Sequence, residues 1–197
     1  MFYETDKGNH GLAIDPFNAI VMPRPIAWIS TLSEAGVANL APYSFFNAFS
    51  YAPYYVAFGS GGRKDTMRNI EATMEFAVNL VSFDLREAMN MSSTHQHTDE
   101  FELAGLNKAT CNLIKSPRVA ASPATLECKL FQTIALPADN GSVNDWMVIG
   151  RVVGIHIADQ FIQNGRVNST AMHPIVRMGY TEYATVAESW KMRRPNP

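Results

Sequence analysis

Ala35-Gly36-Val37-Ala38-Asn39-Leu40-Ala41-Pro42-Tyr43-Ser44-Phe45-Phe46-Asn47-Ala48-Phe49-Ser50-Tyr51-Ala52-Pro53-Tyr54-Tyr55-Val56-Ala57-Phe58-Gly59-Ser60-Gly61-Gly62 is a run of 28 residues without a charged side chain, and it carries eight of the 21 aromatic residues of the chain. Its length would suit a membrane-spanning helix, which needs about 20 apolar residues. Pro42, Pro53, Asn39, Asn47, three serines and several glycines exclude that reading, because hydrocarbon cannot satisfy so many broken or polar groups. The run therefore reads as strands and a turn buried in protein.

Upstream, Ile26 to Leu32 alternates Ile26, Trp28, Ser30 and Leu32 on one face, and Ser33-Glu34-Ala35-Gly36 turns it into a strand over Val37 to Ala41. Downstream, Tyr54 to Phe58, Phe76 to Val81, Leu126 to Leu136 and Trp146 to Ala158 read as four more strands, the last two joined by the turn Pro137-Ala138-Asp139-Asn140-Gly141. Six strands linked mostly by short turns predict a mainly β protein, an antiparallel barrel. Helices are few and short. One runs from a cap at Asp65 or Thr66 to about Met74, one follows the capping-box pair Asp84 and Glu87, and one turn starts after Thr98. No repeat or linker divides the chain, so residues 1–197 are expected to form one domain.

Composition narrows the function. Only 17% of the 197 residues are charged, below the usual level of about 25%, and the net charge of -2 offers no positive field for nucleic acid or anionic lipid. The first residues carry neither a basic nor an apolar leader region, so a cytoplasmic location is expected. Cys111 and Cys128 are accordingly expected as reduced, buried thiols.

Gly59-Ser60-Gly61-Gly62-Arg63-Lys64-Asp65-Thr66 follows a strand and opens a helix. Glycines let backbone N–H groups converge on one anion, and the helix start and two basic side chains add positive charge, which makes a phosphate cradle. A solvated turn is the plain alternative. Just upstream, Asn39-Leu40-Ala41-Pro42-Tyr43-Ser44 offers apolar faces and a few hydrogen-bonding groups, as a flat heteroaromatic ring requires. Together the two segments suggest a phosphorylated, ring-bearing cofactor. Pro23-Arg24-Pro25 holds Arg24 in a stiff segment, aimed at an anion or simply at solvent. Alternation from Trp146 puts Val148, Gly150, Val152, Gly154 and His156 on one face, where two glycines leave room beside a histidine for a ligand or for a structural role. His95-Gln96-His97-Thr98-Asp99-Glu100 fits no closed zinc spacing and reads as a polar lid. Neither a dinucleotide-type G-x-G-x-x-G nor a G-x-S-x-G nucleophile elbow occurs.

His10-Gly11 with Asp15-Pro16-Phe17, Pro23 to Thr31, Asn39 to Phe46 and Arg63-Lys64-Asp65-Thr66, followed by Asp99 to Leu106, Leu126-Glu127-Cys128 and Val148 to Val153, resemble the flavin reductase-like, FMN-binding split β-barrel family, in the branch that includes flavoredoxin. The resemblance covers about residues 10 to 183. It implies an antiparallel Greek-key split barrel that pairs as a homodimer, with FMN near the subunit interface. It places the flavin ring against Asn39, Ala41, Pro42, Tyr43 and Ser44 and the phosphate near Ser30, Thr31, Ser60, Arg63, Lys64, Asp65 and Thr66, with Trp28 in the same cofactor-binding set. The His95 to Glu100 loop then becomes a lid over the ring or a contact from the other subunit. Many flavin reductases of this family carry Gly-Asp-His before the last long strand, whereas this chain has Val143-Asn144-Asp145, which puts rapid NAD(P)H-driven turnover of free flavin in doubt.

The leading expectation is an FMN-dependent oxidoreductase, reduced by NADH or NADPH and passing hydride or electrons to flavin, a ferric chelate, a quinone or a protein acceptor, with no catalytic side chain or metal assigned. The alternatives are a non-enzymatic FMN electron carrier and a split barrel that binds another phosphorylated ring, such as pyridoxal phosphate, or a haem-like ligand.

Overall fold

A computed structural model describes residues 1–94 and 99–195 of the chain. Seven strands form one sheet: β1 (Ala27–Leu32), β2 (Ala38–Tyr43), β3 (Phe46–Tyr51), β4 (Tyr54–Gly61), β5 (Glu75–Asn79), β6 (Ala124–Pro137) and β7 (Val143–Ile157). Their hydrogen-bonded order is β2-β1-β5-β6-β7-β4-β3, and every ladder is antiparallel. The strands at the two ends of this order, β2 and β3, are joined by Ser44 and Phe45 alone. Such a link reaches at most about 11 Å, so the sheet has to roll until its edges meet. The Tyr43 and Phe58 rings lie 4.7 Å apart across the closure, and the Gly59 N–H donates to the Phe45 carbonyl at 2.8 Å. The result is a mainly β split barrel, as expected, whose seam runs along the Ser44–Phe45 junction.

The uncharged run supplies β2, β3 and β4. Strand β3 had no separate sequence boundary, and β4 extends past Phe58 to Gly61 because Asp145, Trp146 and Met147 offer ladder partners to Gly61, Ser60 and Gly59. Only Gly62 leaves the ladder, with a φ of 81° that favours glycine. No described helix is long and apolar enough to cross a membrane.

Two cores result from the alternation of β1. Ala27 and Ile29 enter the barrel with Phe58, Phe76, Val78, Cys128 and Val148. Ile26 and Trp28 face the other way, packing with Leu40, Val81, Met89 and Phe101 beneath the helices. These helices are α1 (Asp65–Thr73), α2 (Arg86–Met91) and α3 (Glu100–Leu103). Neither expected cap on the first two forms: Lys64 occupies the N-cap of α1 without a side-chain bond, and a 3₁₀ turn over Phe83–Leu85 leads into an equally uncapped α2. Asp65 instead pairs with Arg68, and Thr66 is engaged by Asn39. Asp99 does cap α3, accepting from the Phe101 N–H at 3.0 Å.

Outside the barrel, Ile175–Arg177 pairs with both Arg24–Pro25 and Tyr183–Thr185. Arg24 is neither solvated nor aimed at an anion through its terminal nitrogens. It is 7% exposed, and those nitrogens donate to the carbonyls of Asn18, Val21 and Met178, tying the helical turn Phe17–Ile20 and the residue after it to the C-terminal segment.

Candidate functional site

A cleft of about 330 Å³ opens at the seam. Its walls are Pro42 and Tyr43 from the end of β2, Ser44 and Phe45 from the junction, Gly59 and Gly61 from β4, and Lys64 at the start of α1. The two segments singled out in the sequence, the aromatic wall and the glycine-basic loop, thus share one rim.

At the helix end, Lys64 occupies the N-cap in an extended conformation (φ -73°, ψ 178°) and its own side chain makes no capping bond, so the positive end of α1 lies beside Arg63 and Lys64. Both basic side chains are exposed. Arg63 pairs with Glu71 and lies 5.4 Å from the centre of the Trp146 ring. Ser60 is buried, its hydroxyl donating to the Gly62 carbonyl at 3.0 Å, while the Gly62 N–H donates to the Asn144 carbonyl at 2.6 Å. The turn is therefore held by its own residues and by the 143–145 segment.

At the wall, Asn39 is buried and its amide donates to the Thr66 hydroxyl at 2.9 Å. The Tyr43 phenol bonds to the Thr66 and Ser60 side chains; burial raises its pKa and outweighs the lowering by these bonds, so the phenol stays protonated. Ala41, Pro42, Tyr43 and Ser44 are all partly exposed.

Trp28, Ser30 and Thr31 sit deeper. All three are fully buried. The Trp28 indole N–H donates to the Ser92 hydroxyl at 2.8 Å, the Ser30 hydroxyl donates to the Pro117 carbonyl at 2.6 Å, and the Thr31 hydroxyl accepts from the Asn69 amide at 3.0 Å. None of them lines the cleft. The lid segment His95 to Thr98 lies outside the described residues.

Glu100, read in the sequence as part of that lid, is instead buried against the outer edge of β2, where its carboxylate accepts from the Leu40 N–H at 2.9 Å. Burial is the main cause of its raised pKa; the backbone donors at Leu40 and Glu100 oppose it, and Asp65 and Asp99 reinforce it. An edge strand leaves backbone donors open, and α3 delivers the acceptor.

The reading of His156 changes as well. Val153 is an extra residue in β7 opposite β6, since Val152 pairs with Cys128 and Gly154 with Glu127. One extra residue inverts the alternation that follows it, so Gly154 and His156 share the face of Glu127 and not that of Val148 and Val152. There the His156 Nε2 lies 2.5 Å from the Glu127 Oε1. Gly150 leaves no room for a ligand, since a Cβ there would come 2.3 Å from the Phe76 Cζ, and beside Gly154 stands the Glu127 carboxylate, its Cδ 3.3 Å from where a Cβ would sit. Cys111 and Cys128 are free thiols, half-buried and buried respectively.

Residues 19–171 match the family described as flavin reductase like domain. An uncharacterized protein of Halalkalibacterium halodurans is 35% identical over 196 residues, covering 96% of this chain and 92% of its own. Nitrilotriacetate monooxygenase component B from Bacillus cereus superposes with a TM-score of 0.83 at 29% identity, over 93% of this chain and 100% of that one. The 2-nitrobenzoate 2-nitroreductase of Pseudomonas fluorescens gives 0.81 at 29% identity, over 90% and 88%. With the rolled seven-stranded sheet and the basic loop opening α1, these matches establish that the chain is a member of the flavin reductase-like family of split β-barrels.

Proposed function

We propose that the seam cleft holds FMN and that the protein is an oxidoreductase taking reducing equivalents from NADH or NADPH and passing them to a small-molecule or protein acceptor. The observation that carries this reading is the shared rim, where the start of α1 brings Lys64, with Arg63 next to it in the chain, to an apolar wall made by Pro42, Tyr43 and Phe45. A phosphate suits the first and a flat ring the second. Bound FMN would supply hydride and single-electron transfer at its ring.

The chain's own residues bind and orient. Backbone donors of the first turn of α1, with Arg63, Lys64 and the Thr66 region, hold the phosphate. Asn39, Ala41, Pro42, Tyr43 and Ser44 set the plane of the ring and shield it from water, and Tyr43 couples the two subsites through Thr66 and Ser60. Ser30, Thr31 and Trp28 act from beneath, fixing β1 under the site. The monooxygenase component and the nitroreductase among the structural relatives favour a redox role over simple ligand storage.

A non-enzymatic carrier is the second reading, favoured by Val143-Asn144-Asp145, which places no histidine next to the glycine turn. Visible spectra of the purified protein after FMN loading and removal of excess separate the readings, followed by anaerobic NADH or NADPH. Retained flavin that bleaches supports the oxidoreductase and names the donor. Retained flavin that does not bleach supports the carrier, and no retained flavin points to FMN as a passing substrate or to another phosphorylated ring.

In the same reading residues 1–197 act as one flavin-binding domain and two chains pair. Phe49 (69% exposed) on β3 and Phe131 (59%) on β6, the latter packed against Tyr55 of β4, are exposed aromatics suited to contact with a second copy, and Tyr51 (85%) is exposed at the end of β3.

A further inference from the structure

We propose that Cys111, Glu127 and His156 form a binding site for one divalent transition-metal ion of borderline softness, with Zn²⁺ as the reference case. The three come from separate segments: the loop after Lys108–Ala109, β6 and β7. One ligand atom from each lies within 4.8 Å of the others. A tetrahedral zinc site with its usual bond lengths places such atoms about 3.3–3.6 Å apart. Closing on an ion therefore takes side-chain movements of about 1 Å, including the opening of the 2.5 Å contact between His156 and Glu127.

The carboxylate is built in. Glu127 is 1% exposed, and it accepts from the backbone N–H groups of Asn112 at 2.8 Å and Leu113 at 2.6 Å. Those two donors follow Cys111 directly, so the same bonds that orient the carboxylate hold the thiol beside it, the outer support that metal ligands commonly have. Gly154 keeps the carboxylate free of crowding. The Val153 bulge is what turns His156 onto this face. His156 and Cys111 are each partly exposed, which gives an ion an entry path and leaves a fourth position for water.

The donor set selects the ion. A thiolate disfavours Mg²⁺ and Ca²⁺, and imidazole with carboxylate suits Zn²⁺ and its neighbours in the first transition row. Binding replaces a proton: the Cys111 thiol loses its proton to solvent as the metal–sulfur bond forms. None of the three lines the seam cleft, so the site is independent of flavin binding.

The test uses the full chain, stripped with a chelator and kept reduced by a phosphine. Zn²⁺ is titrated by calorimetry and Co²⁺ by difference absorbance, in which any flavin spectrum cancels. The expected result is one ion per chain, a thiolate-to-cobalt charge-transfer band, and proton release. Cys111→Ser should remove the band, and Cys111→Ser and His156→Gln should each weaken Zn²⁺ binding by about tenfold or more, since each removes one of three ligands. Glutamine keeps a donor for Glu127, so an unchanged circular dichroism spectrum and melting midpoint in His156→Gln separates ligand loss from unfolding. A wild-type protein that takes up no ion, or either variant binding with wild-type affinity, overturns the proposal.

Discussion

The Asn39 amide donates to the Thr66 hydroxyl at 2.9 Å, joining β2, which carries the aromatic wall, to the first turn of α1, which carries the basic loop. Both residues are buried. Thr66→Val keeps the shape and removes the acceptor, leaving the Asn39 amide without its partner, so we expect a loss of about 1–3 kcal/mol in a urea titration. FMN affinity should fall with it, because the wall and the loop lose their shared bond.

The loop charges act on the ligand more than on the fold. Arg63→Ala combined with Lys64→Ala should leave the melting midpoint near that of wild type, since both side chains are exposed, and weaken FMN binding by about tenfold or more through the lost charge-assisted bonds. Unchanged affinity in a fluorescence titration would remove the phosphate assignment. Ser44→Trp should fill the cleft at the junction, and co-purification of a full complement of flavin with that variant would place the ring elsewhere.

Gly150 is occupied space. An added Cβ would lie 2.3 Å from the Phe76 Cζ and 3.2 Å from the Cys128 Cβ, so Gly150→Ala is expected to cost about 1–3 kcal/mol. Phe76→Leu in the same chain should recover part of that loss, and strict additivity of the two substitutions would count against the clash.

Glu100 gives stability a pH dependence of definite sign. Its folded pKa is raised, chiefly by burial, so in the range between the unfolded and folded values the native state holds the proton that the unfolded chain has released. This contribution is full below the unfolded value and is lost as pH rises through the folded one. Glu100→Gln keeps an oxygen for the Leu40 N–H and cannot ionise, so the stability difference, variant minus wild type, should grow with pH across that window and then level off. Urea midpoints at a series of pH values measure it; a difference that is flat with pH refutes it.

Pairing through the exposed aromatics makes a further prediction. Phe49→Asp with Tyr51→Asp places two charges on β3 without touching either core, so a wild-type dimer should become a monomer by light scattering while circular dichroism is preserved.

Much of the barrel was legible because its strands carry local patterns. Alternation from Ile26, the Ser33–Gly36 turn and the proline-broken uncharged run are short-range features, and they survive almost unchanged in β1, β2 and β4. What escaped depends on partners distant in the chain. Arg24 read equally as an anion ligand or a surface arginine because the carbonyl of Met178, 154 residues away, is invisible from Pro23-Arg24-Pro25. Val153 carries no mark of a bulge, yet it decides which face His156 takes. Glu100 looked solvated because nothing nearby indicates that β2 ends the sheet and needs an acceptor for Leu40. For the candidate site, the glycine-basic loop and the aromatic wall were visible as segments, and the short link that sets them on one rim was not.

That link has an evolutionary consequence. Ser44 and Phe45 keep the two free margins of the sheet against each other. A few residues inserted there would let the barrel spring open and expose two rows of unpaired backbone groups, the surface from which strand-swapped oligomers and aggregates grow. The same insertion in the turn between Pro137 and Val143 would only lengthen a hairpin. Length variation among relatives should therefore collect at the hairpin tip and be purged from the junction.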